Sequence, residues 1–122
     1  MKIKHIEHVS LHVKDVEAST DFYARTLKLE RLPRPAMSIA GAWFRLGERQ
    51  QLHLIGERNE PVHSAIRGNH FAVGVDDLSA FEAHFRDSGV EFFGPMTLPD
   101  GMLRLFLRDL DGHMLELVSA SA

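Results

Sequence analysis

Two stretches, "EHVSLHVKDV" at residues 7–16 and "NHFAVGVDDL" at residues 69–78, are written on one template. Both run polar, His, apolar, small, apolar, variable, Val, charged, Asp, apolar. His8 answers to His70, Val13 to Val75 and Asp15 to Asp77, an offset of about 62 by direct subtraction. The match returns further along, where "LHLIGE" at 52–57 resembles "LELVSA" at 115–120, one residue further apart, so that His53 falls opposite Glu116. A self-match at a fixed offset is the signature of a duplicated structural unit.

Each half reads as strand, helix, then strands. In the first, "HVSLHV" alternates with the period of a half-buried strand. Asp15 is placed to cap a helix whose stripe is Val16, Ser19, Phe22, Tyr23 and Leu27. "LERLPRP" predicts an irregular edge strand, because proline has no N–H to give to a central ladder. "AWFRLG" and "QLHLIG" predict two strands turning at Gly47–Glu48. In the second half "HFAVGV" is the strand and Asp77 the cap. Leu78, Phe81 and Phe85 are the stripe, and Ser88–Gly89 is the stop. "VEFFGP", "LRLFLRD" and "HMLELVS" follow as strands, the last two joined by a tight turn in "DLDG" at 109–112. The expected fold is therefore α+β: two paired βαβββ modules building an eight-stranded, incompletely closed mixed sheet around a central cavity. The first module spans 1–57, a polar connection 58–69, and the second module 70–122.

Strand side chains alternate between faces. Val9, Leu11 and Val13, with Phe71, Val73 and Val75, must face the helices. His8, Ser10 and His12, with His70, Ala72 and Gly74, then face the other way. The same parity sends His53 and Glu116 to that second face. Four strands thus each direct one donor to it: His8, His53, His70 and Glu116. Three imidazoles and a carboxylate suit a divalent ion of the zinc, iron, nickel, cobalt or manganese kind. His12 has the right parity but lies two pleats along, where it would line the cavity. His5, His63, His84 and His113 read as strand-start, loop, helix-surface and turn residues without a ligand role.

Bulk composition narrows the field. The chain has 122 residues, 44% of them hydrophobic and 25% charged, enough to fold around a core without staples. Cysteine is absent, which excludes disulfides, thiolate metal sites and thiol nucleophiles. A net charge of −3 with both signs interspersed gives no basic surface for nucleic acid or membrane. The opening "MKIKHIEHVSL" has no apolar leader run, so a cytoplasmic location is expected.

"HVSLHVKDVEASTDFYARTLKLE", "HFAVGVDDL" and "DLDGHMLELV" together resemble the vicinal oxygen chelate superfamily. This group includes glyoxalase I, extradiol dioxygenases, fosfomycin resistance proteins, methylmalonyl-CoA epimerase and bleomycin resistance proteins. The resemblance covers essentially the whole chain. It implies ligands on the first and last strand of each module, which here are His8, His53, His70 and Glu116. It also implies a substrate bound through two adjacent oxygens, and metal-assisted chemistry such as enediolate stabilisation in an isomerase or lyase. Glu116 would be the base and His53 a ligand or a free acid or base. Glyoxalase I usually has a carboxylate at the position of His53, so two-base chemistry is not matched.

Extradiol dioxygenases resemble the triad His8, His70 and Glu116 with open positions. Fosfomycin resistance proteins share that triad and often carry a hydroxyl at the position of Ser10, but have a tyrosine where this chain has Phe106. A non-catalytic binding or resistance protein is the remaining alternative. By parity Trp43, Arg45, Arg104 and Phe106 point toward the substrate, the arginines suiting an anionic group and the aromatics an apolar wall. A homodimer is expected, with the modules pairing within one chain or exchanged between two.

Overall fold

A computed structural model describes residues 1–119; the last three residues of the expected second module, 120–122, lie outside the described residues. The chain divides into two compact units, Met1–Glu60 and the remainder from Pro61. Each is a βαβββ module, and the fold is α+β.

The first unit contains β1 (His8–His12), α1 (Val16–Thr26), β2 (Arg31–Leu32), β3 (Gly41–Leu46) and β4 (Gln50–Ile55). The second contains β5 (Phe71–Val75), α2 (Leu78–Ser88), β6 (Phe93–Thr97), β7 (Leu103–Arg108) and β8 (Met114–Ser119). The eight strands form two four-stranded mixed sheets ordered β1-β4-β3-β2 and β5-β8-β7-β6. In each sheet the first strand runs parallel to the last, so the chain's two most distant strands of a module become neighbours. That pairing brings the donor-bearing positions together: Ser10 stands opposite His53, and Ala72 opposite Glu116. The duplication therefore extends to register.

The helices begin where the capping residues stand. Asp15 accepts from the Ala18 N–H and Asp77 from the Ala80 N–H, each at 3.1 Å. α2 ends at Gly89, whose φ of 70° is the left-handed conformation that closes a helix, with its N–H on the carbonyls of Arg86 and Phe85. α1 packs on β3 and β4, and α2 on β7 and β8. Beneath α1 the core is Leu11, Val13, Tyr23, Phe44, Leu52 and Leu54; beneath α2 it is Leu78, Phe85, Leu105, Leu107, Leu115 and Leu117. The strand residues among these sit on the helix-facing parity, and Tyr23, Leu78 and Phe85 are the helix side chains that meet them. Burying each large side chain contributes about 1.5–3 kcal/mol, which is what fixes strand register in both sheets.

One strand departs from the sequence reading. "VEFFGP" at 90–95 was expected as a strand, yet β6 runs Phe93–Thr97. Val90 still completes the helix exit, giving its N–H to Phe85 O at 2.8 Å, and Phe92 packs on the Phe85 ring. Pro95 has no N–H and Gly94 adopts a φ of 104°, so pairing with β7 slips between Phe93 and Met96 before resuming. Among the described residues no helix is long and apolar enough to cross a membrane.

Candidate functional site

In the first unit the donors gather around His53. Its ring lies between two others: His8 is stacked on it at 4.1 Å and 14°, Trp43 at 4.4 Å and 9°. Trp43 reaches that place because it pairs with His53 across β3 and β4. Burial lowers the His53 pKa, and the neighbouring His8 lowers it further; Glu7 works against the shift, and Arg34 works with it. A neutral imidazole is the form a metal ion requires.

The hydrogen bonds select which nitrogen is available. His8 Nδ1 donates to Glu7 Oε1 at 2.9 Å, which leaves the Nε2 lone pair unengaged by that bond. His53 Nε2 donates to Gln51 Oε1 at 2.8 Å, which leaves Nδ1 as the lone-pair nitrogen. One donor atom each from Glu7, His8 and His53 lies within 4.8 Å of the others. That is close to the span of about 3–4 Å between donors sharing one ion at bonds of about 2.1 Å.

In the second unit the donors form a linear chain of contacts. His70 Nδ1 faces the carbonyls of Ala65 and Gly68 at 3.2 and 3.3 Å. Nε2 lies 3.0 Å from Glu116 Oε1, which accepts when that nitrogen carries the proton. The other Glu116 oxygen accepts from Arg104 Nε. Arg104 in turn forks onto Asp100, with Nη1 to Oδ1 at 2.9 Å and Nη2 to Oδ2 at 2.7 Å. This guanidinium, helped by the Met102 N–H, holds the Asp100 carboxyl down to about 2. Phe106 pairs with Glu116 across β7 and β8 and sets its ring edge-on to His70 at 5.9 Å. It occupies the register position that Trp43 holds beside His53.

The remaining candidates are placed as follows. Ser10 is exposed on β1 beside His53. His12 ties the end of β1 to the end of β4 through Nε2 on Gly56 O at 2.9 Å. Arg45 leaves the donor cluster: it ion-pairs with Glu30 at 2.9 Å, where both side chains are largely exposed. Four residues near the donors escaped the sequence reading. Glu7 has the wrong strand parity, but it precedes β1 and is not bound by it. Gln51, likewise of the other parity, reaches round to His53. Asp100 lies in a turn and Arg34 in an irregular segment, where no periodicity assigns a direction.

A family model described as "Glyoxalase/Bleomycin resistance protein/Dioxygenase superfamily" matches residues 5–117. A protein named "Glyoxylase I 4" from Arabidopsis thaliana is 25% identical, the match covering 96% of this chain and 71% of the plant protein. Among solved structures, an integron cassette protein from the mobile metagenome of V. cholerae is 28% identical with a TM-score of 0.76, covering 99% of this chain and 98% of that one. A glyoxalase family protein from Enterococcus faecalis is 25% identical with a TM-score of 0.79, covering 97% of this chain and 99% of the other.

Proposed function

The chain belongs to the glyoxalase/bleomycin resistance protein/dioxygenase superfamily, and we propose that it is a divalent-metal-dependent lyase or isomerase acting on a small molecule with two adjacent oxygens. The ligands in this reading are His8 and His53 from one unit and His70 and Glu116 from the other. The observation that carries it is the meeting of His70 Nε2 and Glu116 Oε1 at 3.0 Å, an imidazole nitrogen and a carboxylate oxygen at a separation that two ligands of one ion can take. The donor set also fits in kind, since imidazole nitrogen and carboxylate oxygen without thiolate suit zinc, nickel, cobalt, iron or manganese.

When bound, the ion supplies Lewis acidity, polarising the chelated oxygens of the substrate. The chain's own residues do the rest. Glu116 accepts the proton from the carbon next to the substrate carbonyl, its position held by Arg104 Nε on Oε2. Trp43, half-buried, provides flat apolar surface for the substrate body, whereas Phe106, expected beside it, is 3% exposed and backs His70 from within the core. The test is turnover of the glutathione–methylglyoxal hemithioacetal and of a panel of other 2-oxo compounds, with metal-free and metal-restored protein. Isomerised product that appears only with metal is the expected result. Metal binding without turnover of any of them defeats the lyase and isomerase assignment.

A specific observation favours ring-cleaving dioxygenase chemistry as the second reading. His53 spends Nε2 on Gln51 and lies in a ring stack. If its Nδ1 also stays off the ion, His8, His70 and Glu116 form a three-ligand set with open positions for a catechol and dioxygen. Iron as the native metal, with oxygen uptake on catechols, distinguishes this reading from the first.

Glu7 also acquires a role. A carboxylate on the Nδ1–H of a ligating histidine fixes its tautomer and raises its basicity. Glu7→Gln is therefore expected to weaken metal binding about 10–100-fold, with Glu7→Asp recovering part of the loss. Competition titration with a chromophoric chelator measures it. Equal affinity of all three proteins removes Glu7 from the site.

A further inference from the structure

The register relation between the modules places an arginine beside each donor pair by two different routes. Trp43 pairs with His53 as Phe106 pairs with Glu116. Two residues back along those strands, Gly41 pairs with Ile55 as Arg104 pairs with Val118. The first module therefore has a glycine where the second has Arg104. The vacant side-chain volume is filled by Arg34, which reaches it from the segment after β2. A Cβ on Gly41 would stand 2.9 Å from both Cζ and Nη2 of Arg34, so the guanidinium lies directly on the glycine. Gly41, Trp43 and Ile55 share the parity of His53, so Arg34 covers the donor-bearing face of the sheet.

The two arginines differ in what they bind. Arg104 pairs with two carboxylates, Asp100 and Glu116. Arg34 gives one N–H from Nη2 to Ile39 O at 2.9 Å, and its Nε is buried without an acceptor. Among the described residues no carboxylate pairs with it. A guanidinium has five N–H donors and is always charged, and a buried N–H without an acceptor signals a missing partner. Around it is a groove of about 600 Å³, with Arg31, Leu32, Pro33, Pro35 and Met37 among its walls.

We propose that Arg34 is the anion-recognition residue of the site, and that the substrate carries a carboxylate on an apolar body in addition to its two chelating oxygens. The incompletely used guanidinium of Arg34 matches a carboxylate, with Arg31 on the groove wall adding to the positive potential. This inference rests on the metal-chelation reading above and adds to it the substrate class. It transfers to Arg34 the role that strand parity had pointed to in Arg104 and Arg45, both of which are neutralised by carboxylates of this chain.

The test uses two probes that chelate through the same pair of adjacent oxygens, catechol and 3,4-dihydroxybenzoate, which differ by one carboxylate. Binding to the full chain loaded with one equivalent of zinc is measured by calorimetry. The wild type is expected to prefer the carboxylated probe about tenfold or more, the scale of a charge-assisted hydrogen-bond pair. Arg34→Gln should abolish that preference with catechol affinity unchanged, Arg34→Lys should keep part of it, and Arg45→Gln should leave it intact. A preference that survives in Arg34→Gln, or is absent from a wild type that binds catechol, overturns the inference while the metal reading stands. A wild type that takes up no zinc, or that binds zinc but not catechol, overturns both.

Discussion

Glu116→Ala is expected to abolish stoichiometric metal binding and leave a folded protein. The residue is 7% exposed, and both oxygens are committed, one toward His70 and one to Arg104. Losing it takes away the second unit's only anionic donor in the proposed set. The affinity loss should exceed the 10–100-fold that removal of an outer hydrogen-bond partner costs. The fold should survive because the charge left behind is not orphaned. Arg104 keeps its two bonds to Asp100, so the usual penalty of an unpaired buried cation does not arise. A stability loss of about 1–2 kcal/mol from the missing hydrogen bonds is the expected scale. Glu116→Gln separates the causes, since it keeps the shape and removes the charge. Metal content by mass spectrometry, with a denaturant melt on the same samples, reads both quantities. Full metal content in both variants would sink the ligand assignment; lost metal together with collapse of the fold would mean that Glu116 is a structural residue first.

The parts of this molecule that were legible in the sequence are those governed by a period or a fixed chemical preference. The repeat of His8 and His70 carried the duplication. Asp15 and Asp77 marked the helix starts because a carboxylate can take the first free N–H groups. Alternation separated the two faces of β1, β4 and β8, because the helix-facing residues must be apolar to be buried. Strand parity also placed Phe106 and Arg104 among the donors of the second unit. It could not show that Arg104 is already neutralised, because Asp100 approaches from a turn. It could not find Arg34, because the route of residues 33–40 has no regular period and is set by a glycine on another strand. It could not find Glu7, which precedes β1 and whose direction no strand period sets. The displaced start of β6 has the same character, since helix closure at Val90 and a register slip at Gly94–Pro95 compete with local strand propensity. The misses are residues directed by contacts remote in sequence, and several of them surround the donors.

The neighbours Trp43 and Phe44 make that division of faces measurable. Phe44 is 0% exposed, packs toward Tyr23 at 6.2 Å and pairs with Leu52 across β3 and β4. Phe44→Ala is expected to destabilise the protein by about 3–5 kcal/mol, the cost of removing a buried aromatic and leaving a cavity. Against a typical total of about 5–15 kcal/mol, that is enough to change the folded population at moderate temperature. Trp43, one residue away on the donor face, is half-buried against His53. Trp43→Ala is expected to change the melt by about 1 kcal/mol or less beyond the loss of one stacking contact. Its effect should appear instead in the visible spectrum of cobalt-substituted protein and in metal affinity, because the His53 ring loses one of the two planes that orient it. Pairing each variant's denaturation midpoint with its cobalt spectrum gives the discriminating result. If Phe44→Ala alters the cobalt spectrum at temperatures where it is fully folded, or if Trp43→Ala unfolds the protein while sparing the spectrum, the faces have been assigned the wrong way round. The expected pattern, stability lost on one residue and coordination lost on the next, requires that a strand bury one face against the helix and carry the chemistry on the other, at alternate positions.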